Sequence, residues 1–387
     1  MKTHLTKYTE IIQFCTHSIA VIGLKLPVAL FLSGFLVAVP LLLSGCAKKT
    51  DTLTVLIWSD YISPQVISRF EKQEGCIVRI ETFSSNEELK KKLPDMLDVD
   101  VIVPSSYELE GLKNKDLLSK LDQSKITNSR YVDQDFIRKF GLHQWSDVSV
   151  PYFVAPTGLA FRDPAKLDAR LLSKSDSGVT TLSYQIFDSL ATDQGNAARY
   201  FTLLNDKREA IAAALLAARQ DLRLVDADAL KQAKETLLRW CKAGLRFDGK
   251  AYQYHLLNDR NLFGQAYMGD VMPLQPKLTF AIPEEGFVIT CDCLAILNTS
   301  RNRDLAHRFI DFLCAPTNCA DNMRWSLYRA PNNEAFKKLT DLEKEYPLLG
   351  FLEASWAKNG QILLPLSKEE EVMYDQIWKE FDQYMED

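Results

Sequence analysis

The stretch "LTVLIWSDYISPQVISRFEKQEGCIVRIETF", Leu53 to Phe83, decides the fold. "LTVLIW" is nearly continuous apolar sequence, the pattern of a strand covered on both faces. It ends abruptly at Trp58, Ser59, Asp60 and Tyr61. "SPQVISRFEKQEG" then reads as a helix, with Ser63 as cap, Pro64 in the first turn and Gly75 as the stop. Val66, Ile67 and Phe70 recur on one face of it. "CIVRIETF" is a second strand, and "SNEELKKKL" a second helix opened by Ser85 or Asn86. "VDVIVPSS" gives a third strand leading into the helical "YELEGLKNKDLL". This alternation predicts a parallel, doubly wound α/β sheet.

Ligands of such sheets sit beyond the carboxyl ends of the strands. The first strand delivers Trp58, Ser59, Asp60 and Tyr61 there. The second delivers Thr82, Phe83, Ser84 and Ser85, and the third Pro104, Ser105, Ser106 and Tyr107. None of these corners holds Lys, Arg or a glycine-rich phosphate loop. Aromatic faces, hydroxyls and a carboxylate suit a cation. An aromatic face offers a cation roughly 0.5–2 kcal/mol, and a charged hydrogen bond about 1.5–3 kcal/mol. A rim-of-core role for Trp58 and Tyr61, and a capping role for Asp60, fit the same positions.

The chain has 387 residues, 47% hydrophobic, with a formal net charge of −5. That is a globular protein large enough for two lobes, without the basic patch of a nucleic-acid binder. Residues 1–46 read as an export signal: scattered lysines, then "LPVALFLSGFLVAVPLLLSGC". The ending Leu43, Ser44, Gly45, Cys46 resembles a bacterial lipobox, which implies a lipidated Cys46 and an extracytoplasmic, membrane-anchored body. A plain membrane span is the alternative for so apolar a run. Of eight cysteines, six lie beyond Cys46, and their pairing is not deducible from sequence. With three histidines left and no CxxC, neither a zinc site nor any cofactor is expected.

"IWSDYISPQVISRFEKQEGCIVRIETFSSNEEL" and "VDVIVPSSYELEGL" resemble the first lobe of the bacterial polyamine-binding periplasmic proteins, the spermidine/putrescine receptors of ABC importers. The likeness covers about 53–125 and returns at "AIPEEGFVITCDCLAILN" and "RFIDFLCAPTNCADNMRWSLYRAPN". It implies a two-lobed periplasmic-binding-protein fold, monomeric, with a ligand cleft between hinge-connected lobes. The crossings would lie near "VPYFVAPTGLAFR" and "AIPEEGFVITCDCLAI". Lobe one would combine 52–154 with 287–330, and lobe two 155–286 with 331–387.

The resemblance carries over motif by motif. "WSDY" supplies Trp58, Ser59, Asp60 and Tyr61, "PSSY" supplies Ser105 and Tyr107, "VITCDCLAI" places the carboxylate Asp292, and "RWSLYRAPN" places Tyr328. "LLNDKREAIAAALLAARQ" makes Asp206 and Glu209 candidates, although D-x-x-E before such a helix is equally a capping box. "AYMGDVM" would place Tyr267 as a wall and Asp270 on a second ammonium, unless it is a simple Gly-Asp turn. Thr290 stands where the family often has tryptophan, and Gln361 aligns with a late glutamine contact only after a shift. Trp240, in step with Leu230, Ala233 and Leu237, reads as core.

These readings give a receptor that holds a protonated di- or triamine between spaced carboxylates and hands it to an ABC permease. With no basic group expected in the cleft, amino acids would be rejected, because an unpaired buried carboxylate is costly. A ferric-iron or other small-solute receptor of the same fold is the alternative, although the tyrosines are dispersed rather than clustered. A secreted carboxylate-dependent hydrolase ranks below both. No G-x-S-x-G or H-E-x-x-H is present, and scattered acids are a weak sign of paired-carboxylate chemistry.

Overall fold

The computed structural model describes residues 50–174, 179–192, 200–350 and 359–385. The expected signal segment and Cys46 lie outside them. Twelve strands are described: β1 (Thr52–Trp58), β2 (Ile77–Phe83), β3 (Val101–Ile102), β4 (Ser149–Phe161), β5 (Leu172–Lys174), β6 (Thr180–Leu182), β7 (Tyr200–Leu203), β8 (Leu245–Phe247), β9 (Asn261–Tyr267), β10 (Thr279–Ala281), β11 (Phe287–Ile296) and β12 (Gly360–Ile362).

The opening stretch folds as its pattern dictates. All of β1 after Thr52 is buried, because sheet neighbours flank it and helices cover it. The helix Pro64–Glu74 has Ser63 as its N-cap, accepting from the Gln65 amide, and ends on Gly75 at φ 65°. Only a residue that tolerates the left-handed region closes a helix there without strain. Strand β1 pairs in parallel with β2 and with β3.

The main sheet runs β2–β1–β3–β11–β4–β9–β7–β8. Its two ends, β2–β1–β3 and β9–β7–β8, are parallel trios. Between them β4 and β11 run antiparallel to each other and join the trios into one curled sheet. The register of β4 and β11 shifts between Asp292 and Cys293: Asp292 pairs with Phe153 and Cys293 with Pro151, leaving Tyr152 as the extra residue. A bulge of this kind turns side chains where a site needs them, and this one lies at Asp292.

Two apolar cores result. One lies under the first trio; the other, around Trp240, Phe187, Phe201 and Phe263, lies under the second. Trp240 is fully buried, stacked on Phe187, with its Nε1 donating to Asp188, as a core tryptophan should be. The segment expected to belong wholly to the second lobe, 331–387, divides. Ala335, Leu339, Leu342 and Leu349 pack into the first core, whereas Leu363, Tyr374 and Phe381 pack into the second. The cause is helix amphipathicity, since each short helix buries its apolar face on the nearest core rather than following chain order. The two halves interlock: Tyr107 packs into the second core, while Tyr252, Met268 and Met272 pack into the first. The six described cysteines beyond the signal are all buried, unbridged thiols.

Candidate functional site

A cavity of about 260 Å³ opens where the carboxyl ends of β1, β3 and β9 meet the crossing strand β11. Trp58, Ser59, Asp60, Tyr61, Ser105, Tyr107, Glu209, Tyr267, Asp270, Asp292 and Tyr328 all line it. Of the twelve residues expected at the site, Asp206 alone is absent from the lining.

Asp292 anchors one end. It is 2% exposed, and its oxygens accept from Tyr61 Oη at 2.6 Å and Ser105 Oγ at 2.7 Å. Behind them stands Asn86, whose Nδ2 donates to Ser105 Oγ at 3.1 Å and Tyr107 Oη at 2.7 Å, while its Oδ1 accepts from the Ser105 amide. Tyr152, the bulge residue, donates to the Tyr61 carbonyl at 3.1 Å. Burial pushes the Asp292 carboxyl up to about 6, against the lowering effect of its two hydroxyl donors.

Asp270 anchors the other end, on the short helix Met268–Val271 that follows β9. Its oxygens accept from Tyr328 Oη at 2.9 Å and Tyr252 Oη at 2.6 Å, with Gln253 Nε2 at 3.3 Å. Gly269 is required here: a Cβ would meet the Tyr328 ring at 2.3 Å. The rings of Tyr61 and Tyr328 lie 5.0 Å apart between the two carboxylates. Trp58 and Tyr267, at 6.3 Å, continue the aromatic wall, with Phe83 at 4.6 Å from Trp58 on the other side. Burial, followed by the neighbouring carboxylates Asp292 and Asp270 respectively, raises the phenols of Tyr61 and Tyr328, so both remain donors.

The helix Lys207–Ala217 resolves the two readings of its acids. Asp206 is its N-cap, with Oδ1 accepting from the Arg208 and Glu209 amides at 2.9 and 3.1 Å. Glu209 turns its carboxyl into the cavity rather than back to the cap. It is 1% exposed, and its carboxyl makes no well-formed hydrogen bond, only a looser contact with the Thr157 hydroxyl. Burial and then Asp206 raise it well above the usual carboxylate range, and Thr157 faces it. Trp58 Nε1 is buried without a partner.

Phe83 and Ser84, from the second strand's corner, and Thr290 also line the cavity, and Ala155, Gly249, Lys250 and Gln253 join them without having been singled out in the sequence. Thr290 donates to the Ala155 carbonyl at 3.3 Å. Lys250 corrects the expectation of a cleft without a basic group: it is an exposed residue on the cavity wall. Gln361 lies elsewhere, in β12, accepting from the Leu222 amide.

Comparison with known proteins fits this geometry. Residues 65–349 match the model of the bacterial extracellular solute-binding proteins. A putrescine/cadaverine-binding protein of Pseudomonas aeruginosa is 28% identical over 303 residues, 74% of this chain and 81% of the relative. A spermidine/putrescine-binding periplasmic protein of Haemophilus influenzae is 26% identical over 310 residues, 78% of this chain and 81% of the relative. Among solved structures, a putative spermidine/putrescine ABC transporter protein of Listeria monocytogenes superposes with a TM-score of 0.71 at 26% identity, covering 87% of this chain and all of that one. A lipoprotein of Treponema pallidum shares the fold, with a TM-score of 0.68 at 23% identity, covering 85% of this chain and 99% of that one. Two-lobed, built on two crossing strands and matched over most of its length, this chain belongs to the bacterial extracellular solute-binding protein family.

Proposed function

We propose that this protein captures a protonated polyamine of the putrescine/spermidine class and delivers it to an ABC permease. The observation that carries the reading is the pair of hydroxyl-clasped carboxylates, Asp292 and Asp270, facing one aromatic-walled cavity. Each would take one terminal ammonium as a charged hydrogen bond, and each is already held in place by two hydroxyl donors. Trp58, Tyr61, Tyr267 and Tyr328 would cover the methylenes and face the ammonium groups. Ser59, Asp60, Ser105, Tyr107 and Glu209 complete the proposed contacts, and Asp206 would act through the helix that carries Glu209. The names of the curated relatives support the same ligand class.

In this reading the lobes are 52–154 with 287–330 and 155–286 with 331–387, with Ala335, Leu339, Leu342 and Leu349 reaching back to the first core. Their closure would exclude water and strengthen the ion pairs inside. Cys46 would carry the lipid that tethers the body outside the cytoplasm. Isothermal titration with putrescine, spermidine and ferric citrate tests the function. Saturable heat with an amine and none with iron supports it; iron binding with amine silence transfers the protein to the alternative receptor class.

A further inference from the structure

The charge pattern of the cavity changes from its interior to its mouth. Inside stand Asp292 and Asp270, each held by hydroxyl donors, together with the buried Glu209 beside Thr157. At the mouth, the exposed lining residues include one acid, Asp60, and one base, Lys250. The interior is therefore lined by carboxyl groups, while the exposed rim adds one charge of each sign.

Lys250 is held in place by its own backbone. Its amide and that of Ala251 donate to Asp248 Oδ1 at 2.9 and 2.8 Å. Asp248 is itself buried, and its Oδ2 lies 2.9 Å from His255 Nδ1. Three residues further on, Gln253 reaches Asp270 at 3.3 Å. The wall thus runs from Asp270 through Gln253 to Lys250 within one short stretch of chain. A ligand anchored by its second ammonium on Asp270 and extended outward would pass along the wall that carries Lys250. The volume, about 260 Å³, lies just below the roughly 300–1,000 Å³ typical of drug-sized ligands, as a small solute requires.

Resting on the polyamine reading above, we propose that Lys250 is a specificity determinant that favours diamines over triamines by opposing a third ammonium at the cavity mouth. Two ammonium groups find two clasped carboxylates inside. A third must sit toward the mouth, on the wall that carries Lys250. Because the mouth is solvated, the opposition is modest and salt-sensitive.

The test is calorimetric titration of the whole protein and of its Lys250→Gln and Lys250→Glu variants with putrescine, cadaverine and spermidine, at low salt and at about 0.5 M salt. Lys250 is exposed, so unchanged thermal unfolding of both variants is the expected control. The wild type should bind the diamines more tightly than spermidine. Lys250→Gln should raise spermidine affinity about two- to fivefold, and Lys250→Glu about tenfold, with putrescine within about twofold. High salt should shrink these differences. Spermidine affinity unchanged in both variants, or a wild-type preference for spermidine, overturns the proposal and assigns the third ammonium to Glu209. Tight binding of γ-aminobutyrate that Lys250→Glu abolishes also overturns it, making Lys250 a carboxylate anchor. Wild-type silence toward every amine refutes the polyamine reading itself, and this inference with it.

Discussion

Replacing Asp292 with Asn should move affinity and stability in opposite directions. The side chain keeps its shape but loses its charge. For a bound amine, that removes a charged hydrogen bond of about 1.5–3 kcal/mol, a roughly 10- to 100-fold loss of affinity. For the unliganded fold the sign reverses. The folded carboxyl is raised from 3.8 to about 6, a shift of about 2 units and about 3 kcal/mol. A raised acid stabilises the fold fully below its ordinary value, and that contribution is lost as pH climbs toward 6. At pH 7.5 the wild type therefore holds a buried charge that Asn relieves. Asn has one oxygen where the two hydroxyls use both of Asp292, so Tyr61 or Ser105 loses its acceptor and must turn to accept from the amide NH2, at a cost of about 1 kcal/mol. The net expectation is a gain of about 1–2 kcal/mol, seen as a melting temperature about 2–4 °C higher at pH 7.5. At pH 4 the gain should vanish. Titration calorimetry and thermal unfolding of the same preparation measure both effects. A variant that melts lower at pH 7.5, or that binds the amine as tightly as wild type, refutes the reasoning.

Acidification should weaken binding, because the ligand needs Asp292 ionised. With a folded value of about 6, affinity at pH 5 should be about tenfold below that at pH 7.5, read by calorimetry across the range. Trp58→Leu keeps an apolar wall but removes the π face. It should cost about 3- to 30-fold in amine affinity, with loss of any ligand-induced change in tryptophan fluorescence at this site. Gly269→Ala should drive its methyl into the Tyr328 ring, which a Cβ would meet at 2.3 Å. The expected result is about 1–3 kcal/mol of destabilisation and weaker binding as Tyr328 leaves Asp270, measured by urea unfolding and titration.

The sequence was most readable where one local rule dominated. Continuous apolar runs marked β1, and the cap, proline and glycine of the first helix fell at Ser63, Pro64 and Gly75. Corner chemistry at Trp58–Tyr61 and Ser105–Tyr107 pointed to the cavity because strand ends converge in a parallel sheet. Long-range relations were less readable. Tyr252, the second donor to Asp270, opens a helix of only six residues, and Lys250 lies in the turn before it, so neither shows its role in the local pattern. Asn86 looked like a cap, but Ser85 takes that role and frees Asn86 to bridge Ser105 and Tyr107. The β4–β11 bulge depends on pairing between residues more than a hundred positions apart. The mixed allegiance of 331–387 depends on which core each short helix reaches. Asp206 and Glu209 shared one motif, and only three dimensions separated the cap from the cavity acid.

A crystal structure of the protein grown with putrescine tests the central claim most directly. The account predicts an extended diamine across the cavity, one ammonium within hydrogen-bond distance of Asp292 and the other at Asp270, its methylenes against Trp58 and Tyr328. A cavity left empty at saturating diamine, or a diamine bound away from both carboxylates, would contradict it.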